Sequence, residues 1–260
     1  MSVLKRILFT CTPDKLLFQI KKWHYLRKLK CATEEDEEDL YLVKNLLHEG
    51  DQVLDIGANF GVYTRFLSIY TGITGKVYSF EPIPETFQIL QNNIQKLNLT
   101  NVISLNYAIS DSSGKVIMEV PRYEKAGDNF YEAKIVNTSA KNLKSFKVEC
   151  KTLDELFSIY HFHPIFIKCD VEGFEWNVFK EAKELLKKTE PALFIEINQD
   201  LTSSDEKTTR LLDFLTTLNY KIFIKYGDIL KAWENEKKVN YYFLLQKHID
   251  DLGEKGLLNK

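Results

Sequence analysis

The 260-residue chain is long enough for one α/β domain with an added segment, and its 44% hydrophobic and 28% charged residues are ordinary for a globular protein. A formal net charge of -2 provides no overall field that would attract nucleic acid or an anionic membrane. The four cysteines lack C-x-x-C or metal-finger spacing, so we predict reduced thiols. No apolar run approaches the ~18 residues that span a bilayer, and none forms the core of a secretory signal, so we predict a cytoplasmic protein.

The first 30 residues are strongly basic, with eight Lys and Arg side chains against one acid, Asp14. Leu16, Ile20 and Trp23 lie there at roughly helical spacing, which predicts a basic amphipathic helix. Such a helix can lie on an anionic membrane, here the inner membrane surface, or it can pack across the main domain with its lysines in water. We favour the second interpretation.

The charge then reverses in an acidic run at residues 34–39. Acids suit the first turn of a helix, so we expect this run to open a helix that ends near Gly50. We assign residues 1–38 to a basic helical N-terminal segment, 39–247 to the main domain and 248–260 to a loosely ordered tail.

The stretch VLDIGANFG at residues 53–61 begins as the apolar run of a buried parallel strand and then breaks into glycines where a helical pattern starts. Gly57 can adopt a positive φ, and Gly61 lets the helix approach the strand or a ligand closely. The first amides of a helix lack internal partners and attract negative charge. Together with Asp55, which ends the strand, this turn predicts a cradle for a polar ligand.

Residues 76–80 form a second predicted strand, which Glu81 and Pro82 end. Glu81 follows the glycine turn by about 20 residues, the spacing at which an acid at the tip of strand two accepts from both ribose hydroxyls. The turn reads G-x-x-x-G, so the G-x-G-x-x-G that seats a pyrophosphate is missing, and no phosphate-loop motif follows. A nucleoside without a pyrophosphate fits better, and we predict S-adenosylmethionine.

After a helix that starts near Pro84, a third strand is predicted from Val102 to about Ala108. Ligands of doubly wound sheets sit beyond the carboxyl ends of the strands, so Asn106, Ala108 or Asp111 should edge an adenine ring. Asp111 is equally well explained as a turn residue.

Residues 115–150 break the α/β rhythm, and we predict two antiparallel strands flanking a long loop. Loops of this length are often functional. This one either closes over the acceptor through Tyr123, Asn129, Phe130 and Tyr131 or decorates the surface.

The second informative stretch, at residues 165–175, is a strand followed by Asp170, Glu172 and Gly173. Lys168 within that strand is costly to bury unless it is paired, and Asp170 points to the same face. A fifth strand at residues 191–198 ends with Glu196 and Asn198. Oxygen ligands from Asp170, Glu196 and Asn198 would suit Mg²⁺, although we predict no metal as the main interpretation.

Five motifs in order resemble those of the FkbM-type methyltransferases: VLDIGANFG at 53–61, FEP at 80–82, TLD at 152–154, IKCDVEGFE at 167–175 and FIE at 194–196. The resemblance covers residues 50–200. It implies an α/β class I methyltransferase fold with a Rossmann-like, seven-stranded sheet whose last strand is antiparallel. The final two strands, at 220–225 and 241–245, are read as a hairpin at the sheet edge.

The resemblance also implies S-adenosylmethionine as cofactor and O-methylation of sugars or other glycans. It places the methionine part at Gly57, Asn59 and Gly61 and the ribose at Glu81. Many relatives end the fifth strand in Glu-x-His, where this chain has Asn198, so any role of that histidine is in doubt. The predicted cofactor-binding set is Asp55, Gly57, Asn59, Gly61, Thr64, Glu81, Pro82, Ala108 and Asp111.

The expected reaction is displacement of the sulfonium methyl by an acceptor hydroxyl, with alignment of the two reactants supplying most of the catalysis. Asp170 is the first candidate base, followed by Glu172 and Lys168. The alternative role is structural: Asp170 and Glu172 would cap the next helix and pair with Lys168.

Two other functions stay open. A nucleic-acid methyltransferase is disfavoured because the Asn/Asp-Pro-Pro-aromatic signature is absent after strand four and because only the N-terminal segment is basic. A catalytically inactive nucleoside-binding module is disfavoured because Gly57, Glu81 and Asp170 are all present. We therefore predict a small-molecule or glycan acceptor and no nucleic-acid partner.

Overall fold

The apolar runs and glycine turns build a central sheet covered by helices on both faces. The computed structural model describes residues 14–123, 127–129, 133–136 and 143–259. Its helices are α1 (Asp14–Cys31), α2 (Leu40–Asn45), α3 (Val62–Thr71), α4 (Pro84–Lys96), α5 (Leu153–Tyr160), α6 (Glu175–Phe179), α7 (Lys183–Thr189), α8 (Glu206–Thr217) and α9 (Gln246–Glu254). Its strands are β1 (Gln52–Ile56), β2 (Lys76–Phe80), β3 (Val102–Leu105), β4 (Ala108–Ile109), β5 (Gly114–Val120), β6 (Arg122–Tyr123), β7 (Gly127–Asp128), β8 (Lys134–Val136), β9 (Lys144–Lys151), β10 (Pro164–Cys169), β11 (Ala192–Glu196), β12 (Lys221–Tyr226), β13 (Ile229–Ala232) and β14 (Asn240–Leu244).

The central sheet has the strand order β13-β12-β14-β11-β10-β1-β2-β3. Strands β3, β2, β1, β10 and β11 pair in parallel, whereas β14 runs antiparallel to both β11 and β12. The strands of the predicted seven-stranded sheet are present, including the antiparallel last one. The strand order reverses between β1 and β10, which opens a crevice at their carboxyl ends.

Two details of the sheet edge differ from the prediction. The last two predicted strands do pair, but β14 inserts between β11 and β12, so the pair is not an edge hairpin. The connection between these two strands contains β13, an eighth strand that pairs antiparallel with β12. Leu230 of β13 is fully buried, which explains why this short segment is held against the sheet.

Side-chain alternation along β1 divides the core between the two faces of the sheet. Leu54 and Ile56 belong to a cluster with residues of α5 to α8, and Val53 belongs to a second cluster with residues of α2 and α3. Because helices cover both faces, the strands are apolar in nearly every position.

The insertion forms a second sheet with the strand order β4-β9-β5-β8. The two predicted antiparallel strands are confirmed as β5 and β9, which pair from Gly114 with Cys150 to Val120 with Lys144. The third strand, predicted to run from Val102 to about Ala108, is shorter, because β3 ends at Leu105. Ala108 belongs to the two-residue strand β4, which pairs with β9 in the second sheet. Phe130 and Tyr131 lie outside the described residues.

The acidic run at residues 34–39 does not open one long helix. It forms a 3-10 turn at Glu34–Asp36 and ends before α2, since the N–H and hydroxyl of Thr33 both donate to the Asp36 carboxylate and close a local turn. Asp39 is buried and accepts hydrogen bonds from Asn240 and the Tyr242 hydroxyl, at 2.7 and 2.8 Å. These bonds attach the beginning of α2 to β14.

The basic N-terminal segment is helical as predicted, with α1 beginning at Asp14 and packing against α4. The expectation of an amphipathic helix is wrong, because the apolar side chains of α1 do not gather on one face: Leu29 is buried, whereas Leu16 and Trp23 are exposed. Residues 1–13 lie outside the described residues. None of the described helices combines the length and the apolar character needed to cross a bilayer.

The C-terminal residues are ordered, which corrects the prediction of a loose tail from residue 248. Leu252 of α9 is fully buried, and Leu257 is nearly so. The N–H of Leu230 donates to the carbonyl of Leu257, and the N–H of Asn259 donates to the carbonyl of Leu230, each at 2.8 Å. The prediction failed because the apolar partner of this segment, β13, was itself not recognised.

Candidate active site

A cavity lies at the carboxyl ends of β1, β2, β10 and β11, where the strand order reverses. One end is polar and the other apolar. Its lining residues are Ile56, Gly57, Asn59, Phe80, Glu81, Pro82, Ile83, Tyr107, Ala108, Ile109, Met118, Ala133, Ile135, Asp170, Val171, Glu172, Phe174 and Glu196. Of the predicted site residues, the structure brings Gly57, Asn59, Glu81, Pro82, Ala108, Asp170 and Glu172 to this cavity.

The glycine turn is held against two neighbouring strand ends. Gly57 has a φ of +78°, and a Cβ built on it would lie 1.8 Å from the carbonyl oxygen of Asp170, so only glycine fits. The amides of Gly57 and Ala58 donate to the carbonyl of Phe80, at 3.0 and 2.9 Å. The turn after β1 is therefore clamped between the end of β2 and the end of β10.

Glu81 is buried at the polar end with both carboxylate oxygens engaged. The N–H of Asn59 donates to Oε2 at 3.0 Å, and the N–H of Ile83 donates to Oε1 at 2.9 Å. Burial raises the pKa of Glu81 to about 7, and the two backbone donors only partly oppose this rise. These bonds orient a carboxylate toward the cavity while leaving lone pairs for a ligand.

Asn106 is another support of Glu81 that lies where the third strand was expected to end. Its side-chain amide donates to the carbonyls of Glu81 and Pro82, at 2.7 and 2.9 Å. Asn106 therefore fixes the backbone that carries Glu81 and does not line the cavity.

Lys168 is buried behind the turn and joins three groups. Its ammonium donates to the carbonyl of Gly57 at 3.1 Å and to Asp170 at 3.2 Å, and it lies 3.8 Å from Asp55. Burial alone would lower the pKa of Lys168, but Asp170 and Asp55 raise it above its ordinary value. The predicted pairing with Asp170 is confirmed. A permanently protonated ammonium supports the site and does not act as a base.

Asp55, Thr64 and Gly61 lie beneath the turn and do not line the cavity. The Thr64 hydroxyl donates to Oδ2 of Asp55 at 2.5 Å. Burial raises the pKa of Asp55, whereas Lys168 and Thr64 lower it. At Gly61, with a φ of +99°, a Cβ would lie 2.8 Å from Leu90, which shows the close helix approach that the sequence predicts.

Three carboxylates meet at the polar end. Oxygens of Asp170, Glu172 and Glu196 all lie within 4.8 Å of one another. Glu172 and Gly173 have φ values of +52° and +88°, and this sharp turn after β10 carries the carboxylate of Glu172 toward β11. Burial and the charge of Asp170 raise the pKa of Glu196 to about 7, although Lys168 lowers it.

The ligand set that we predicted for Mg²⁺ is only partly assembled. Asp170 and Glu196 do meet, but the third carboxylate is Glu172, and the Asn198 amide donates to it at 3.2 Å. The ammonium of Lys168 already neutralises part of the charge of Asp170. The main prediction at this place remains no metal, and the Mg²⁺ alternative stays untested.

The apolar end is built partly from the insertion. Met118 and Ile135 of the second sheet line the cavity and pack with Ile83 and Ala108 in one apolar cluster. Sequence reasoning missed these walls, although the alternation of apolar residues along β5 was a usable signal. It also missed Phe174 and the catalytic potential of Glu196, which only the neighbouring strand ends reveal.

Asp111 lies outside the cavity, in agreement with the alternative of a turn residue. Its carboxylate accepts from Lys180 at 2.7 Å and from Asn177 at 3.0 Å. Lys180 is the main cause that lowers the pKa of Asp111. Asp111 therefore ties the end of β4 to the helical turn after α6.

Comparison with known proteins adds a family match. The model of the methyltransferase FkbM domain matches residues 55–222. Among curated proteins, the protein-L-isoaspartate O-methyltransferase of Fervidobacterium nodosum is 38% identical over 56 residues, which is 22% of this chain and 28% of that protein. The matched stretches cover 28% to 37% of the curated relatives' own length.

One solved structure supports the fold, and a second has a lower structural similarity. Cofactor-bound Rv0187 from MTB has a TM-score of 0.50 at 12% identity and covers 94% of this chain and 96% of that one. A methyltransferase FkbM from Methylobacillus flagellatus KT has a TM-score of 0.48 at 17% identity, covering 77% of this chain and 47% of that one. The class I, Rossmann-like methyltransferase fold expected from the sequence is thereby confirmed.

Proposed function

The chain belongs to the FkbM methyltransferase family, and from this premise we propose that it is an S-adenosylmethionine-dependent methyltransferase that acts on a hydroxyl group of a sugar or glycan. The observation that carries the proposal is the polar end of the cavity. Carboxylates of Asp170, Glu172 and Glu196 converge there, and no Lys, Arg or His of the described residues lines the cavity.

The residues present fit S-adenosylmethionine, which supplies an activated methyl group on its sulfonium sulfur. Glu81 offers a fixed carboxylate to the ribose hydroxyls, and the apolar walls at Ala108 and Met118 suit a flat base. Gly57, where a side chain has no room, lets the backbone approach the ligand. We propose that Gly57 and Asn59 border the methionine part.

A cluster of carboxylates selects among acceptors by charge and hydrogen bonding. Ionised carboxylates accept hydrogen bonds from hydroxyl groups, which a sugar presents in number. They repel phosphates, which every nucleic-acid acceptor carries. The acidic lining therefore favours a glycan over RNA or DNA as the acceptor.

We propose that the carboxylate pair of Asp170 and Glu196 binds the acceptor hydroxyl and takes its proton. Transfer forms the oxygen–methyl bond, breaks the sulfonium–methyl bond and leaves the proton on a carboxylate. The Asp170 carboxylate is engaged by Lys168 at 3.2 Å, whereas the Glu196 carboxylate has no hydrogen bond or ion pair with another described side chain or backbone group. We therefore add Glu196 to the predicted base Asp170, and we assign Lys168 to holding Asp170 in place.

Two measurements test this function. Titration calorimetry with S-adenosylmethionine should show that the wild type binds the donor. Incubation with the donor and a panel of mono- and oligosaccharides should form the demethylated donor faster with at least one sugar than in buffer alone. Asp170→Asn and Glu196→Gln should keep donor binding and lose turnover. Glu184→Gln, an exposed acid on α7, is the matched control and should behave as wild type.

The outcomes separate the competing functions. Turnover on RNA but not on any sugar, with affinity that falls steeply as salt is raised, would replace the glycan assignment. Absence of heat with both the donor and its demethylated product would instead support an inactive scaffold.

A further inference from the structure

Helix α1 presents apolar side chains on two opposite faces, of which only one packs on the protein. On the packed face, Leu29 is fully buried and the ring of Tyr25 lies 4.6 Å from the ring of Phe60, centre to centre. The ammonium of Lys28 lies 5.2 Å from the same Phe60 ring. This face rests on the loop that follows β1.

The carboxyl end of α1 is anchored separately. The guanidinium of Arg65 donates to the carbonyls of Leu29 and Ala32, at 2.8 and 2.7 Å. These bonds satisfy helix-end carbonyls and bind α1 to α3. The helix is therefore held to the protein without any contribution from its opposite face.

We call Leu16, Ile20 and Trp23 the outer face of α1. Their spacing of four and three residues places them on one side of the helix. They are 52%, 52% and 60% exposed, so three large apolar side chains point together into solvent. Single exposed apolar residues are common, but a contiguous stripe on one helix indicates a binding surface.

Cations border the outer face. The Arg27 guanidinium lies 5.6 Å from the Trp23 ring, one turn along the same side, and the exposed Lys15 and Lys30 flank the two ends. The only acid in the helix is Asp14, at its first position. The helix itself is thus positive, although an acidic run at residues 34–39 follows its carboxyl end and the formal net charge of the whole chain is -2.

We propose that the outer face of α1 docks on an anionic lipid surface, with the helix axis in the plane of the membrane. An apolar stripe that includes a tryptophan and is rimmed by Lys and Arg matches the interfacial zone of a bilayer with anionic headgroups. A protein partner would need to supply both an apolar groove and several acids, whereas an anionic bilayer supplies both along its whole surface.

Docking in this way brings the active site to the membrane. Phe60, which the packed face of α1 contacts, lies in the turn between Asn59 and Gly61. That turn borders the cavity, and one helix diameter of ~10 Å separates it from the outer face. An acceptor carried on a lipid would therefore be presented close to the cavity.

The test is co-sedimentation of the full chain with vesicles, either of phosphatidylcholine alone or containing about one third phosphatidylglycerol. The chain should bind the anionic vesicles and not the neutral ones. The double variant Ile20→Gln/Trp23→Ser should bind at least ~tenfold less, because two large apolar side chains no longer enter the bilayer. Arg27→Gln should reduce binding about fivefold through the lost headgroup attraction.

The matched control is Ile159→Gln, which changes an isoleucine of α5 that is 55% exposed, and it should bind as wild type. All variants replace exposed side chains, and an unchanged circular dichroism spectrum would show that they fold. Trp23 emission should shift to the blue on anionic vesicles, and the shift should be missing in Trp23→Phe.

Three outcomes would overturn the proposal. One is failure of the wild type to bind anionic vesicles. Another is equal binding by the double variant, which would mean attraction by charge without insertion. The third is self-association of the wild type that the double variant abolishes, or binding of an RNA oligonucleotide in place of vesicles, since either would assign the outer face to another partner.

Discussion

Gly57 is the residue at which the fold and the cofactor site constrain each other most tightly. Its positive φ and its contact with the Asp170 carbonyl are both incompatible with a side chain. The positive φ follows from the sequence pattern of a strand running into a glycine turn. The contact with Asp170 does not, because the two residues are joined only when β1 pairs with β10.

Gly57→Ala should destabilise the protein and weaken S-adenosylmethionine binding, because a Cβ 1.8 Å from a backbone carbonyl forces β1 and β10 apart. We expect a loss of more than ~2 kcal/mol, measured by urea denaturation. Gly253→Ala is the control, since its Cβ in α9 would meet Leu258 at 3.9 Å and helical alanine is preferred over glycine. Equal stability of the two variants would contradict this account.

Glu81 predicts a pH dependence of cofactor binding. Its pKa is raised to about 7, so the carboxylate that we propose as the acceptor of the ribose hydroxyls forms fully only above that pH. The affinity for S-adenosylmethionine should therefore fall as pH is lowered from about 8 to about 6. Calorimetry at constant ionic strength measures this.

Glu81→Gln should bind S-adenosylmethionine ~10 to 100-fold more weakly at high pH and lose this pH dependence, because the charged acceptor is gone. Glu184→Gln should keep the wild-type profile. A wild-type profile that is flat across neutral pH would exclude Glu81 as the titrating group.

At the scale of elements, strand order decides which motifs meet. The turn after β1, the acid after β2 and the carboxylates after β10 and β11 come from distant parts of the chain. Their adjacency was predictable from the rule that ligands bind where the order of a parallel sheet reverses. The apolar wall from β5 and β8 was not predicted, since the insertion was expected either to close over the acceptor or to decorate the surface, whereas Met118 and Ile135 line the cavity together with Ala108.

The C-terminal helix offers a test at this scale. Leu252→Ala should reduce the free energy of unfolding by about 2–5 kcal/mol, because Leu252 is fully buried where α9 covers β13 and β14. Urea denaturation measures the change. Ile73→Ala, at a side chain that is 83% exposed, should change stability by less than ~0.5 kcal/mol. A small effect at Leu252 would restore the original expectation of a loose tail.

At the scale of the whole molecule, the cavity has acidic side chains at one end in a protein of nearly balanced charge. A ligand that spans several strand ends must stabilise the folded state, because the unfolded chain has no such site. Buried Glu81 and partly buried Glu196, both with a pKa raised to about 7, make the free protein less stable as pH rises from about 4.5 through 7. Ligand stabilisation is therefore best measured at fixed pH.

S-adenosylmethionine at 100 times its dissociation constant should add about 2.7 kcal/mol to the stability and raise Tm by about 5–10 °C for a chain of this size. A thermal-shift titration measures this rise, and Gly253→Ala should show the same rise as wild type. If adenosine raised the Tm of the wild type as much as S-adenosylmethionine does, the methionine part of the cofactor would not be recognised.

The sequence alone determined the local units: the strand, turn and helix around Gly57, the acid that follows β2, the block that ends β10, and the family that these motifs share. Such features depend on neighbouring residues, so periodicity and glycine placement reveal them. Only the tertiary structure decided that Lys168 is held protonated between Asp55 and Asp170 and that Glu196 joins Asp170 and Glu172. Those properties depend on burial and on distances between strands far apart in the chain, and no local pattern records either.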